Sequence, residues 1–159
     1  HFDRLSEVDQ KDLNTDKINE LKNLMINSVY KRIVNIPFAE GHSAVAVMFS
    51  GGLDSTLLAC ILAQILPTEI TLDLVNVSFQ AETSADRFTS IFSFHELINL
   101  FPQRKMRMLC ADYDLMEDIM KEDNVEFLQN LTAPKGSHME FNIACALHYA
   151  SKSEGYLFD

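Results

Sequence analysis

Basic residues are scarce. Lys and Arg number 13 against 23 Asp and Glu, for a net charge of −10, and a chain with that balance repels a phosphate backbone instead of displacing its counterions. Nucleic acid is thereby disfavoured as a general partner. Long apolar runs are missing too. The longest nearly apolar stretch, Leu57 to Leu66, contains Gln64 and is half the roughly 20 residues that a membrane-spanning helix needs. Cysteine is confined to Cys60, Cys110 and Cys145, far apart and without a Cys-x-x-Cys pair. That excludes a disulfide framework and a thiolate zinc site, and it fits reduced thiols in the cytoplasm. No Met opens the chain and no basic stretch leads into an apolar core, so the expectation is a soluble piece of a longer protein with no signal peptide.

What remains is ordinary for a globular chain: 159 residues, 47% apolar and 23% charged, enough to bury the core of one domain. Residues 1–12 read as a linker or tail from a preceding domain. From Asp16 to Val34 the apolar positions Ile18, Leu21, Leu24, Met25, Val29 and Ile33 recur at three and four, the stripe of an amphipathic helix capped by Asn14 or Thr15. Ser43 to Phe49 is rich in Val and Ala without polar alternation, which predicts a central strand covered on both faces.

The pattern continues with a buried helix over Thr56 to Leu66, a strand over Leu72 to Phe79, a helix over Ala85 to Leu100 and a strand over Met106 to Cys110. Asp114 with Glu117 three residues on predicts a capping box for a short helix through Met120, followed by a helix over Val125 to Leu131. Ile143, Ala146, Leu147 and Ala150 mark a last helix, and Tyr156-Leu157-Phe158 a strand cut off as it begins. Such alternation predicts an α/β fold, a parallel sheet with helices on both faces. Ligands of these sheets bind at the carboxyl ends of the strands.

At one such end lies Ser50-Gly51-Gly52-Leu53-Asp54-Ser55. Backbone N–H groups and the positive end of the following helix converge there on an anion site. Glycine reaches left-handed conformations at low cost and lets backbone approach a phosphate. Ser50 and Ser55 add hydroxyls. Asp54 beside phosphates is repulsive unless a divalent cation lies between, and Mg²⁺ is the usual bridge. The loop has no Lys, which argues against a Walker-type site, and it lacks the Gly-x-Gly-x-x-Gly spacing of dinucleotide folds. At about 7% per position, five fixed residues arise by chance in a chain this long with odds of roughly 10⁻⁴.

The loop resembles the PP-loop of the ATP pyrophosphatases, and Ser-Gly-Gly-Leu-Asp-Ser is most similar to that of the asparagine synthetases. Ser28-Val29-Tyr30-Lys31-Arg32, Val75-Asn76-Val77-Ser78-Phe79, Ser84-Ala85-Asp86 and the helix with Ser137, Met139, Ile143 and Ala146 resemble the family's flanking segments. Leu-Val-Asn-Val-Ser-Phe and Ala-Asp-Arg resemble the divergent eukaryotic asparagine synthetase domain-containing proteins. The resemblance implies an adenine nucleotide α-hydrolase-like fold and an ATP-dependent amide ligase. A carboxylate, aspartate in the family, attacks the α-phosphorus and pyrophosphate leaves with Mg²⁺.

The resemblance also implies nucleotide contacts from Phe49, Ser50, Gly51, Gly52, Leu53, Asp54 and Ser55 and from Val77 and Ser78, with Phe49 and Val77 acting mostly through backbone. Asp54 would serve the metal, and no catalytic general base is named. Arg87 is a candidate anion contact. Two departures stand out. No glutaminase cysteine opens the chain, so a glutaminase domain elsewhere in the same protein would have to supply ammonia. The family's later Ser-Gly-x-Gly-Ala/Ser-Asp-Glu loop is also not in this sequence.

The rival expectation is a non-catalytic nucleotide-binding or interaction module. A sulfur-inserting tRNA enzyme would want paired cysteines and a basic surface. The acidic stretch Asp112 to Glu126 lacks EF-hand spacing and reads as a solvated face. The three cysteines read as core. His138 and His148 lie too far round a helix to share a metal. Gly136-Ser137-His138-Met139 reads as native sequence leading into the last helix.

Overall fold

The computed structural model describes residues 14–37, 45–134, 136–152 and 154–158. The expected tail over residues 1–12 and the start of the first strand, Ser43-Ala44, lie outside them. The chain forms two compact units, 1–36 and 37–159. The first contains α1 (Thr15–Ile33), whose N-cap Asn14 accepts from the amides of Asp16 and Lys17 at 3.1 and 3.2 Å. That is the first of the two caps expected.

The second unit runs β1 (Val45–Met48), α2 (Leu53–Ile65), β2 (Leu72–Ser78), α3 (Ala85–Leu100), β3 (Met106–Asp112), a π-helical turn (Leu115–Ile119), α4 (Glu122–Leu131), α5 (His138–Lys152) and β4 (Tyr156–Phe158). It is an α/β fold. The sheet order is β1-β2-β3-β4, with the first two pairings parallel and the last antiparallel. The sheet is therefore mainly parallel, and the reversed strand is the terminal one.

β1 was expected at the centre. Among the described residues it is an edge strand, because the β1-α2-β2 and β2-α3-β3 crossovers both step the same way across the sheet. Its alternating burial agrees: Val45 and Val47 are buried, Ala46 and Met48 exposed.

Register places Val45, Val47, Leu72, Leu74, Met108 and Cys110 on one face. All six are buried, and each large apolar side chain so covered is worth about 1.5–3 kcal/mol. Arg87 of α3 reaches Asn76 on that face. The opposite face carries Val77, which packs with Phe79, Tyr113 and Phe141 against the buried cluster Ile119, Leu128, Cys145 and Tyr149. Helices thus cover both faces, α3 on one and α4 with α5 on the other.

Three local differences from the sequence pattern bear on the site. First, α2 begins at Leu53 and not at Thr56. Gly52 takes an extended N-cap conformation and the Thr56 amide donates to its carbonyl at 3.0 Å, so Leu53-Asp54-Ser55 form the first helical turn. Second, β3 continues to Asp112, held by pairing with Ser78. Third, the Asp114 carboxylate does cap, accepting from Met116 and Glu117 at 2.7 and 2.8 Å, but Asp118 and not Glu117 accepts from the Asp114 amide, at 2.7 Å. The wider π-turn brings the fourth residue back to the start. A capping box also opens α5, where Ser137 and Glu140 exchange bonds of 2.8 and 3.2 Å. No helix among the described residues is long and apolar enough to cross a membrane.

Candidate functional site

The site is the bend that leaves β1. Phe49 is buried, and its amide donates to the Val75 carbonyl at 2.7 Å while its carbonyl accepts from the Asn76 side chain at 2.8 Å. The chain then turns at Gly51, which has φ +76°, a conformation that costs an L side chain energy. A Cβ there would also fall 2.5 Å from the Cα and amide nitrogen of Ser90. Gly51 is thus demanded by the close approach of α3, in addition to the turn itself. Gly52 is different. A Cβ on it would meet only the Ser50 hydroxyl, at 3.3 Å.

The N-terminus of α2 faces this bend. No side chain caps it, so its first-turn amides and the positive helix end are not taken up by a capping oxygen. Three contacts gather the polar atoms of the loop. The Ser50 and Ser55 hydroxyls lie 3.4 Å apart, the Gly52 amide donates to the Ser50 Oγ at 3.3 Å, and the Ser55 hydroxyl donates to the Gly52 carbonyl at 3.1 Å. Leu53 and Asp54 are exposed on the same first turn.

Beside the loop is a cavity of about 270 Å³ lined by Met48, Phe49, Ser50, Val75, Asn76, Val77, Asp86 and Ala146. The fold thus brings Phe49, Ser50 and Val77 to one opening at the carboxyl ends of β1 and β2. Ser78 is buried, and its hydroxyl accepts from the Gln80 amide at 3.3 Å. A larger cavity of about 580 Å³ lies between α4 and α5, lined by residues such as Met120, Val125, Pro134 and Phe141. It contains no residue of the loop, so the smaller cavity is the one joined to the polar groups.

Arg87 is not available as an anion contact. It is 4% exposed. Its Nε donates to Asn76 Oδ1 at 2.7 Å, one terminal nitrogen to the Tyr156 hydroxyl at 3.1 Å, and the other to Asp112. The buried position requires those partners, since an unpaired guanidinium away from water is costly. The cysteines behave as core: Cys110 and Cys145 are buried, Cys60 half-buried, and burial pushes all three thiols up. Among the described residues no group of three His, Cys, Asp or Glu is placed to hold a metal.

Sequence reasoning missed the residues that hold the loop from behind: Asn76, Ser90 and Ser93, the last donating to the Gly51 carbonyl at 2.9 Å. The spacing of Arg87, Ser90 and Ser93 at three residues along a helix, opposite an otherwise apolar core, was a usable signal.

The asparagine synthase family model matches residues 32–119, more than half of the chain, including the whole loop from Phe49 to Ser55. The chain belongs to the asparagine synthase family. An asparagine synthetase domain-containing protein of Saccharomyces cerevisiae is 31% identical over 164 residues, covering 92% of this chain and 31% of that protein. One from Drosophila melanogaster is 28% identical over 120 residues, covering 69% and 21%. The chain therefore spans less than a third of the length of the curated relatives it matches. An NH3-dependent NAD synthetase from Campylobacter jejuni overlays loosely, with a TM-score of 0.43 and 11% identity over 86% of this chain and 53% of that one. As an asparagine synthase family member, the chain carries an ATP-utilising type of domain.

Proposed function

We propose that this is the ATP-binding domain of an amide ligase of asparagine synthetase type, which activates a small carboxylate, aspartate by analogy with the family, as an acyl-adenylate. The observation that carries the reading is the uncapped start of α2 joined to the Ser50 and Ser55 hydroxyls and opening beside the 270 Å³ cavity. Backbone amides of Gly52, Leu53, Asp54 and Ser55 would hold the β- and γ-phosphates, and the cavity between Phe49 and Val77 would take the adenosine, with Ser78 behind it. The substrate carboxylate oxygen attacks the α-phosphorus, the bond to the bridging oxygen breaks, and the pyrophosphate leaves with its charge stabilised by the loop. An amine then displaces AMP from the acyl group. In this reading ammonia comes from a glutaminase domain elsewhere in the same protein, and the protein works in the cytoplasm.

A divalent cation fits the donor set if it arrives with the nucleotide. Asp54 supplies one carboxylate in the first turn of α2, which suits an ion that keeps several waters and takes phosphate oxygens for the rest. Bound there, Mg²⁺ would neutralise charge on the departing pyrophosphate. The test is aspartate-dependent exchange of labelled pyrophosphate into ATP by the full-length protein, compared with Asp54→Ala, alongside calorimetric titration with ATP and magnesium. Exchange in the wild type that is lost in the variant supports the ligase. No heat on titration overturns the nucleotide reading.

One observation favours a second reading, a nucleotide-binding module without turnover. The guanidinium of Arg87, at the carboxyl ends of the strands, is committed to Asn76, Asp112 and Tyr156 and so does not clamp a substrate carboxylate. ATP bound with no exchange would select it.

A further inference from the structure

The loop is gripped from behind by two separate contacts that originate on α3. On one side, Arg87 Nε fixes Asn76 Oδ1 at 2.7 Å, which orients the amide so that its Nδ2 donates to the Phe49 carbonyl at 2.8 Å. On the other, the Ser93 hydroxyl donates to the Gly51 carbonyl at 2.9 Å, and the Thr56 hydroxyl donates to the same oxygen at 3.2 Å. The two tied carbonyls flank Ser50, which lines the cavity and whose hydroxyl accepts from the Gly52 amide and lies 3.4 Å from that of Ser55.

The members of this arrangement are nearly inaccessible: Asn76 is 2% exposed, Arg87 4% and Ser93 9%. None of them can touch a phosphate without the loop being rebuilt. A buried amide whose rotamer is held by a charged donor has one acceptable orientation. Its direction sets the plane of the Phe49–Ser50 peptide. Likewise the Gly51 carbonyl, tied down by the hydroxyls of Ser93 and Thr56, turns the Gly51–Gly52 peptide so that its N–H lies on the opposite side, where it donates to the Ser50 Oγ at 3.3 Å.

We infer that Asn76, oriented by Arg87, and Ser93 are positioning residues that set the direction of the backbone amides of Ser50 and Gly52 on the nucleotide side of the loop, so that the three-residue spacing on α3 is a property of the binding site as well as of the core. Its functional consequence rests on the nucleotide reading above. The aiming itself does not.

The decisive variant is Asn76→Asp. It keeps an acceptor for the Arg87 guanidinium, so the buried charge remains paired, but it turns the donor to the Phe49 carbonyl into a repelling oxygen. Ser93→Ala removes the second tie and leaves the Gly51 carbonyl its bond from Thr56. Three measurements are made on the full chain: thermal unfolding, amide NMR signals of Phe49 to Ser55 without ligand, and calorimetry with ATP and magnesium. The expected result is a small change of midpoint, displaced signals for Ser50 to Gly52 with those of β3 and α4 in place, and binding weakened roughly five- to tenfold in each variant.

Loop signals that stay put in both variants overturn the proposal, whatever happens to affinity. A loss of affinity that merely tracks unfolding also overturns it. Should Asn76→Asp fail to fold, Ser93→Ala decides alone. Should the wild type bind no ATP, the nucleotide reading falls while the loop signals still decide the positioning.

Discussion

Gly51 and Ser90 touch through backbone: a Cβ on the glycine would stand 2.5 Å from the Cα of the serine. Because φ at Gly51 is +76° as well, Gly51→Ala meets a backbone penalty and a steric one together. It is expected to cost about 2–4 kcal/mol in urea unfolding. Gly52→Ala meets neither and should cost about 1 kcal/mol or less. Its methyl would stand at the start of α2, so weakened ATP binding at near-normal stability is the expected result. Equal destabilisation by both substitutions would show that α3 does not approach the loop as described.

Arg104 closes the far end of α2. Its guanidinium donates to the Ala63 carbonyl at 2.8 and 3.0 Å and also to the carbonyls of Leu66 and Pro67. The Ala63 carbonyl has no intrahelical partner because the residue four on, Pro67, lacks an N–H, and Leu66 is the C-cap; a cation at this helix end also opposes the negative pole. Arg104→Met is expected to lower stability by about 1–3 kcal/mol. Arg104→Lys should recover only part, because an ammonium lacks the planar fork. A thermal melt of each variant checks this.

Tyr149 links α5 to the π-helical turn, its hydroxyl donating to the Asp118 carbonyl at 2.6 Å. Tyr149→Phe keeps the ring against Phe79 and Tyr113 and loses only the bond. The expected cost is about 1 kcal/mol in denaturant unfolding, with pyrophosphate exchange unchanged.

His148 packs against Phe127 and Tyr149 with ring centroids 5.1 Å away in both cases. Burial holds its pKa below the ordinary value, and Lys152 pushes the same way. The folded chain therefore binds that proton less readily than the unfolded one. Stability is full above the unfolded value of about 6.5 and is lost as pH falls from there through the folded pKa. Thermal midpoints measured between pH 8 and pH 5, values chosen to span about 6.5, should decline across that window. The decline should be shallower in His148→Gln.

Helix and strand positions followed from periodicity alone where the apolar pattern was long and uninterrupted. α3 was read as Ala85 to Leu100, with the bounds it has in the fold. A cap at Asn14 or Thr15, of which the fold uses Asn14, and a strand over Leu72 to Phe79, which ends at Ser78, were legible for the same reason, since local spacing and a capping side chain carry their own signal. The loop was legible because Gly-Gly with flanking hydroxyls and a carboxylate is a rare string. Boundaries failed where a residue's role is set by its neighbours in space. Leu53-Asp54-Ser55 looked like loop until Gly52 proved to be the N-cap.

The amino-acid sequence by itself determined the alternating α/β order and the position of a Gly-Gly bend after the first strand. Both are short-range consequences of apolar periodicity and glycine placement. Only the tertiary structure decided that Arg87 is a buried strut and not a ligand, and that β1 is an edge strand among the described residues with β4 antiparallel at the other margin. The reason is that a guanidinium is equally suited to a phosphate and to a buried carboxylate. Which one it meets depends on Asn76, Asp112 and Tyr156, which lie 11, 25 and 69 residues away in sequence and come together only through the fold.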